Sequence, residues 1–114
     1  MRIIVCGGRA MNDDLLVCMV LDALHHRYGI EEIAQGGGTG ADQLAVLWAI
    51  ESEVLVESYP ADWAKHGKAA GPIRNKQMLE DFKPDAVVAF AGGKGTAGMV
   101  KLAKDAGVYV YKFN

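Results

Sequence analysis

The residues able to do chemistry fall into a few tight groups. Three are glycine clusters: Gly7-Gly8-Arg9, then Gly36-Gly37-Gly38-Thr39-Gly40-Ala41-Asp42, then Gly92-Gly93-Lys94-Gly95-Thr96. Clusters of this kind suit phosphate. Glycine lets the backbone approach a ligand closely, and a helix opening from such a loop turns free N–H groups and a partial positive charge toward an anion. A fourth group is basic. From Trp63 to Gln77 the chain carries Lys65, Lys68, Arg74 and Lys76 and no acid. Arg74, followed by Asn75, is expected in the first turn of a helix, where a cation opposes the helix dipole. A locally unfavourable cation points to an anionic partner, and the guanidinium fork matches phosphate. An ion pair with Asp42 or Asp62 is the alternative for Arg74. Two further pairs of readings stay open. Trp63 either stacks on a nucleobase or caps the core, and Asp42 either accepts bonds from a ribose or compensates its helix dipole.

Several other chemistries are disfavoured. Gly93-Lys94-Gly95-Thr96-Ala97-Gly98 spells a dinucleotide fingerprint, but the chain ends before an acidic residue can follow at ribose distance. Neither Gly93-Lys94 nor Gly67-Lys68 is followed by Ser or Thr, as a nucleoside-triphosphate loop requires. Ser52 and Ser58 lack the setting of a nucleophile elbow. Cys6 and Cys18 form no metal-ligand spacing with histidine, so no metal is expected and both read as reduced thiols. His25 and His26 read as solvated surface.

These groups must be held by regular elements. Strand-length apolar runs recur at 3–6, 30–35, 54–58, 86–90 and 108–113, with helix-length segments between them. Asp13 and Asp14 can cap a first helix presenting Leu15, Leu16, Met19, Val20, Ala23 and Leu24, stopped at Gly29. A second helix starts near Thr39 and carries Leu44, Ala45, Leu47 and Trp48. A third has Pro72 in its first turn and buries Met78, Leu79 and Phe82. A fourth follows the last glycine cluster, buries Val100 and Ala103, and stops at Gly107. Alternation of this kind predicts an α/β fold: a five-stranded parallel sheet in the order 3-2-1-4-5 with helices on both faces, a Rossmann-like three-layer sandwich. Strands two, one and four then lie side by side. All three glycine clusters meet on the rim outside their carboxyl ends, where ligands bind in open sheets.

With 114 residues, 51% of them hydrophobic, the chain is read as one domain spanning 1–114. A core of this size makes a homodimer an expected arrangement. The net charge of −2 argues against nucleic acid or an acidic membrane as partner. The segment MRIIVCGG reads as a strand and no run reaches membrane-span length, so a cytoplasmic protein is expected.

Gly7-Gly8-Arg9, the runs GGGTGADQLAVLWA (36–49) and YPADWAKHGKAAGPIRNKQML (59–79), and FAGGKGTAGMV (90–100) together resemble the YspA-like, cpYpsA-related branch of the SLOG superfamily. That superfamily groups DNA-processing protein A, the Lonely Guy enzymes and YpsA-type proteins. The resemblance implies a domain that binds nucleotides or molecules derived from them, and several relatives are proposed to sense or process such ligands in phage conflict and stress. Lonely Guy enzymes cut the N-glycosidic bond of a nucleoside monophosphate, with a signature similar to P-G-G-x-G-T-x-x-E and an Arg segment R-K-x-x-M. Here Gly92, Gly93, Gly95 and Thr96 match the phosphate loop, and Arg74 and Met78 match the Arg segment, with Asn75 in place of Lys. Ala91 replaces the proline and Met99 the glutamate. Glycosidic cleavage needs a carboxylate to stabilise charge on the sugar or to position water, and methionine does neither. The expectation is a binding protein with no required cofactor. The ligand's phosphate lies on Gly92–Thr96 and Arg74, with Gly36–Gly40 toward the ribose and Gly7–Arg9 as floor. The rival is a nucleotide N-glycosidic hydrolase, for which Asp42 and Asp62 are the only candidate carboxylates.

Overall fold

The computed structural model describes residues 1–113. In chain order the elements are β1 (Arg2–Cys6), α1 (Asp14–Tyr28), β2 (Glu32–Gln35), α2 (Ala41–Glu51), β3 (Leu55–Ser58), α3 (Trp63–His66), a 3-10 turn (Gly67–Ala69), α4 (Ala70–Phe82), β4 (Ala86–Ala89), α5 (Lys94–Asp105) and β5 (Tyr109–Lys112). The sheet runs β3-β2-β1-β4-β5, and every neighbouring pair is parallel. This is the Rossmann-like order the alternation predicts. β1, β2 and β4 are apolar on both faces because helices cover both: Ile3, Val5, Ile33 and Val88 pack with α1 and α2, and Ile4, Ala34 and Val87 with α4 and α5. β3 and β5 are the edges, and their outward side chains are correspondingly more exposed.

Local sequence explains most boundaries. Asp13 caps α1 by accepting the Leu16 N–H at 3.0 Å, and Gly29 closes it with φ 72°. The buried stripe of α1 is Val17, Val20, Leu21 and Leu24, whereas Leu15 and Met19, expected inside, are exposed. Both sets have helical spacing, and contact with the sheet selects the one rich in β-branched and shorter residues. In α2, Leu47 is likewise exposed, and Ala41, Ala45, Trp48 and Ala49 face the sheet. The basic segment ahead of the third expected helix, for which no element is expected, folds into α3 and the 3-10 turn, capped by Asp62, whose carboxylate accepts the Lys65 N–H at 3.1 Å. Because α4 begins at Ala70, Pro72 does lie in its first turn, but Arg74 is one residue beyond it. No helix among the described residues is long and apolar enough to cross a membrane.

Candidate functional site

The loops after β1, β2 and β4 interlock before they enclose anything. The Gly8 N–H donates to the Ala91 carbonyl at 2.8 Å, and the Gly8 carbonyl accepts from Ala41 N–H at 3.2 Å. Thr39 Oγ1 donates to the Arg9 carbonyl at 3.3 Å. These approaches leave no room for side chains. Gly40, at φ 71°, turns the side on which a Cβ would sit against the Gly8 carbonyl, and a Cβ on Gly92 would collide with Thr96 Oγ1 and the Gly8 nitrogen.

Beyond this knot opens a cleft of about 640 Å³ at the carboxyl ends of the central strands. Cys6 to Arg9 form its floor. Gly36 to Thr39 and Asp42 form one wall, Arg74, Asn75 and Met78 of α4 another, and Gly93, Gly95 and Thr96 the lip at α5. Trp63 and Pro60 stand at the mouth. The structure therefore gathers Gly7, Gly8, Arg9, Gly36, Gly37, Gly38, Thr39, Asp42, Trp63, Arg74, Asn75, Gly93, Gly95 and Thr96 around one space. Gly40, Asp62, Lys68, Gly92 and Lys94 lie outside that lining. Gly40 and Gly92 belong to the knot beneath it, and the Asp62 carboxylate caps α3.

Arg74 organises the cleft. Its Nη1 donates to the Gly36 carbonyl at 2.9 Å and the Tyr59 carbonyl at 3.2 Å, and its Nε donates to Asn75 Oδ1 at 2.9 Å. Asn75, only 6% exposed, passes the connection on: its Nδ2 donates to the Gly95 carbonyl at 3.1 Å. One guanidinium thus ties the loops after β2 and β3 to the first turn of α5. Among the described residues Arg74 forms no ion pair with a carboxylate, and its Nη2 bonds to no protein atom. Neither expected role, phosphate clamp or salt bridge, foresaw this scaffolding. Gln35, fully buried at the end of β2, does similar work. Its amide donates to Ser58 Oγ and accepts the Gly37 N–H, fixing the second glycine loop. The readable signal for it was a polar residue closing the strand just before the glycines.

The electrostatics are uneven. Neither α2 nor α5 has a side-chain cap, as Gly40 and Gly93 hold those positions. At α2 the terminus is already compensated, because Asp42 Oδ2 accepts the Gly38 N–H at 3.1 Å. Burial pushes the Asp42 carboxyl above the usual aspartate range, against the opposing pull of that hydrogen bond, Arg74 and Arg9. Burial also lowers Arg74, against the Asp42 charge. The Cys6 thiol beneath them is pushed up to about 12, chiefly by burial and then by Asp42. That shift keeps the thiol protonated near neutral pH. At α5 there is no acid in the first turn. Its first intrahelical bond is Ala97 N–H to the Gly93 carbonyl at 3.0 Å, so the N–H groups of Lys94, Gly95 and Thr96 precede the helical ladder. Added Cβ atoms at Gly93 and Gly95 would touch nothing within 4 Å. This helix end in the cleft is both open and uncompensated. Arg9 lies 5.7 Å from the Trp63 ring, and Trp63 is 49% exposed, so its indole is available at the mouth.

Met99 does not face this cleft. It is 0% exposed and sits with Ile4, Met78, Phe82, Val87 and Ala103 between α5, α4 and the sheet. Among the described residues no three His, Cys, Asp or Glu side chains are grouped to hold a metal.

A family model described as the YspA, cpYpsA-related SLOG family matches residues 1–66. That match runs from β1 through α3, taking in the first two glycine clusters and Trp63. The chain is also similar to the Gene 61 protein of Mycobacterium phage D29, at 36% identity over 121 residues, covering 98% of this chain and 95% of that protein. The second similarity extends over Arg74 and the third glycine cluster as well.

Proposed function

The chain belongs to the YspA, cpYpsA-related SLOG family, and on that premise we propose that its cleft holds a nucleotide or nucleotide-derived phosphate ligand, in a sensor, sponge or carrier role. The observation that carries this reading is the N-terminus of α5. Its N–H groups are free and side-chain-less at Gly93 and Gly95, and it opens into a cleft with Arg9 and Arg74. A volume of about 640 Å³ is in the range of small-molecule sites. Phosphate lies on the α5 terminus, the sugar faces Asp42 and the second glycine loop, and Trp63 covers the base. The carboxylate that glycosidic cleavage needs is missing at Met99, whose side chain is in the core.

Gly95→Asp tests this directly. The position has open space, and an acid in the first turn of a helix favours the helix. The fold is therefore retained while a phosphate is repelled. A panel of nucleotides is read by thermal shift, with chromatography for released base. The parent chain is stabilised without releasing base, and the variant loses the stabilisation but melts no lower than the parent. Equal ligand shifts in parent and variant would sink the proposal. One observation favours the hydrolase reading: Asp42 is a cleft carboxyl whose proton affinity is raised by burial, as general acids require. Base release by the parent that disappears in Asp42→Asn would put catalysis in place of holding.

A further inference from the structure

Residues 60–69, between β3 and α4, are built unlike the rest of the rim. Tyr59 before them is pinned: its N–H donates to the Gln35 carbonyl at 2.8 Å, and its carbonyl accepts from Arg74 Nη1 at 3.2 Å. Ala70 after them is buried at the start of α4. Between these two fixed points no residue is buried. The backbone bonds of the segment lie inside it or at its junction with α4. Its side chains make no hydrogen bond or ion pair to another element among the described residues. Gly67 closes α3 at φ 56° and ψ −133°, a backbone state that suits glycine, with open space where a Cβ would sit. The only large apolar side chain of the segment is Trp63. Its indole lies against Gly71, where an added Cβ would come within 3.3 Å of it, and beside the Arg9 guanidinium. About half of the residue stays exposed, and with Pro60 and Ala61 it lines the mouth of the cleft.

We propose that residues 60–69 form a lid and that a planar ring on the ligand closes it, so that the cleft selects anions carrying a ring over anions without one. The inference rests on the cleft being a nucleotide site. A segment with few buried apolar contacts opens at little cost in free energy. This one has no core contact of its own to hold it in one place, so its position is set by what Trp63 touches. A ring that enters the mouth covers the exposed half of the indole and supplies the apolar contact the segment lacks. A phosphate on the N-terminus of α5 supplies no such contact. Closure therefore follows from the ring and not from the charge. The anchored Tyr59 and Ala70 confine the movement to the lid, and Gly67 is its joint.

Hydrogen exchange of the full chain reads the lid at 60–69, the phosphate site in the first turn of α5, and the core at β1. The probes are the four ribonucleoside 5′-monophosphates and ribose 5-phosphate, each titrated calorimetrically and then added at saturation. In the free chain the lid exchanges at least about tenfold faster than the buried side of α4. The preferred nucleotide slows both the lid and the first turn of α5, whereas ribose 5-phosphate slows α5 alone. Trp63→Ala keeps β1 protected, because α3 buries nothing. It binds the nucleotide about tenfold more weakly, and the nucleotide no longer slows its lid. A lid as protected as α4 in the free chain, or one unmoved by a nucleotide that protects α5, overturns the proposal and leaves the cleft reading standing. So does equal slowing of the lid by ribose 5-phosphate, or by the nucleotide in Trp63→Ala. If no probe binds the parent, the cleft reading falls and the lid with it.

Discussion

Replacing Met99 by glutamate restores, on paper, the signature of the base-releasing relatives. The structure predicts that Met99→Glu yields an unstable protein and no hydrolase. Met99 is fully buried among Ile4, Met78, Phe82, Val87 and Ala103, none of which offers a side-chain donor or anything stronger than a thioether acceptor. Loss of the buried methionine costs about 1.5–3 kcal/mol. A carboxyl placed there stays protonated. Holding a group of ordinary pKa about 4.3 neutral at pH 7 costs at least about 3.5 kcal/mol, at roughly 1.4 kcal/mol per pH unit. The sum, about 5 kcal/mol or more, approaches the whole stability of a typical domain. The sign is fixed by linkage. The introduced carboxyl has its folded pKa raised above its unfolded one, so the penalty is smallest below the unfolded value and grows as pH rises toward the folded one. Urea unfolding of parent and variant at pH 5 and pH 7.5 reads this. The deficit is large at pH 7.5 and shrinks by a few kcal/mol at pH 5. Met99→Leu, with volume nearly conserved, costs less than about 1.5 kcal/mol at either pH. A Met99→Glu protein within about 1 kcal/mol of the parent at pH 7.5 would show that position 99 reaches the cleft. Base release by such a protein would refute the reasoning altogether.

Two further outcomes follow from the cleft. Asp42→Asn removes a carboxyl whose folded pKa is raised by burial, and the amide oxygen can still accept the Gly38 N–H. A raised carboxyl loses stability as pH climbs from its unfolded value, so the variant melts higher than the parent at pH 7, and the difference closes as pH falls toward 3.8, the ordinary aspartate value. A variant that melts lower at pH 7 would mean that the Arg74 and Arg9 charges outweigh desolvation. Asn75→Ala breaks the relay from Arg74 to the Gly95 carbonyl. It should cost about 1–3 kcal/mol in chemical denaturation, and hydrogen exchange should speed up in the first turn of α5 while β1 stays protected. Unchanged exchange at that turn would remove Asn75 as its anchor.

The strand order and the meeting of the glycine loops were legible because buried parallel strands leave continuous apolar runs, and handedness then leaves few topologies. The buried face of α1 was not. Leu15 and Met19 repeat at the same spacing as Val17, Leu21 and Leu24, and only the sheet decides between them. Helix α3 escaped because its four residues carry no periodicity, and it depends on the Asp62 cap. Arg74 was legible as a residue of consequence but not for what it does, since its partners are the carbonyls of Gly36 and Tyr59. Backbone acceptors carry no sequence signal. Asn75 was legible as a neighbour of Arg74, but its relay to the Gly95 carbonyl was hidden for the same reason, and Gln35 carried no signal beyond its place before the glycines.

The glycines of the rim divide by what surrounds them, and that division gives the site its rigidity. Gly7, Gly40 and Gly92 are packed so closely that a methyl group would strike Ala41, the Gly8 carbonyl or Thr96, and one on Gly8 would crowd Ala91. Gly93 and Gly95 face nothing. The first set locks three loops from three strands into one body, and the second leaves the helix end bare above it. A phosphate at the proposed site on α5 would therefore find donors already held through Asn75 and Arg74, with little ordering left to oppose binding. The same helical turn sends Met99, three residues after Thr96, into the core. A helix whose two sides are so assigned can present backbone charge to an anion but cannot present a carboxylate from position 99 to a sugar. In the proposed site, holding is thus separated from cutting by the signature carboxylate through which way one side chain of α5 points.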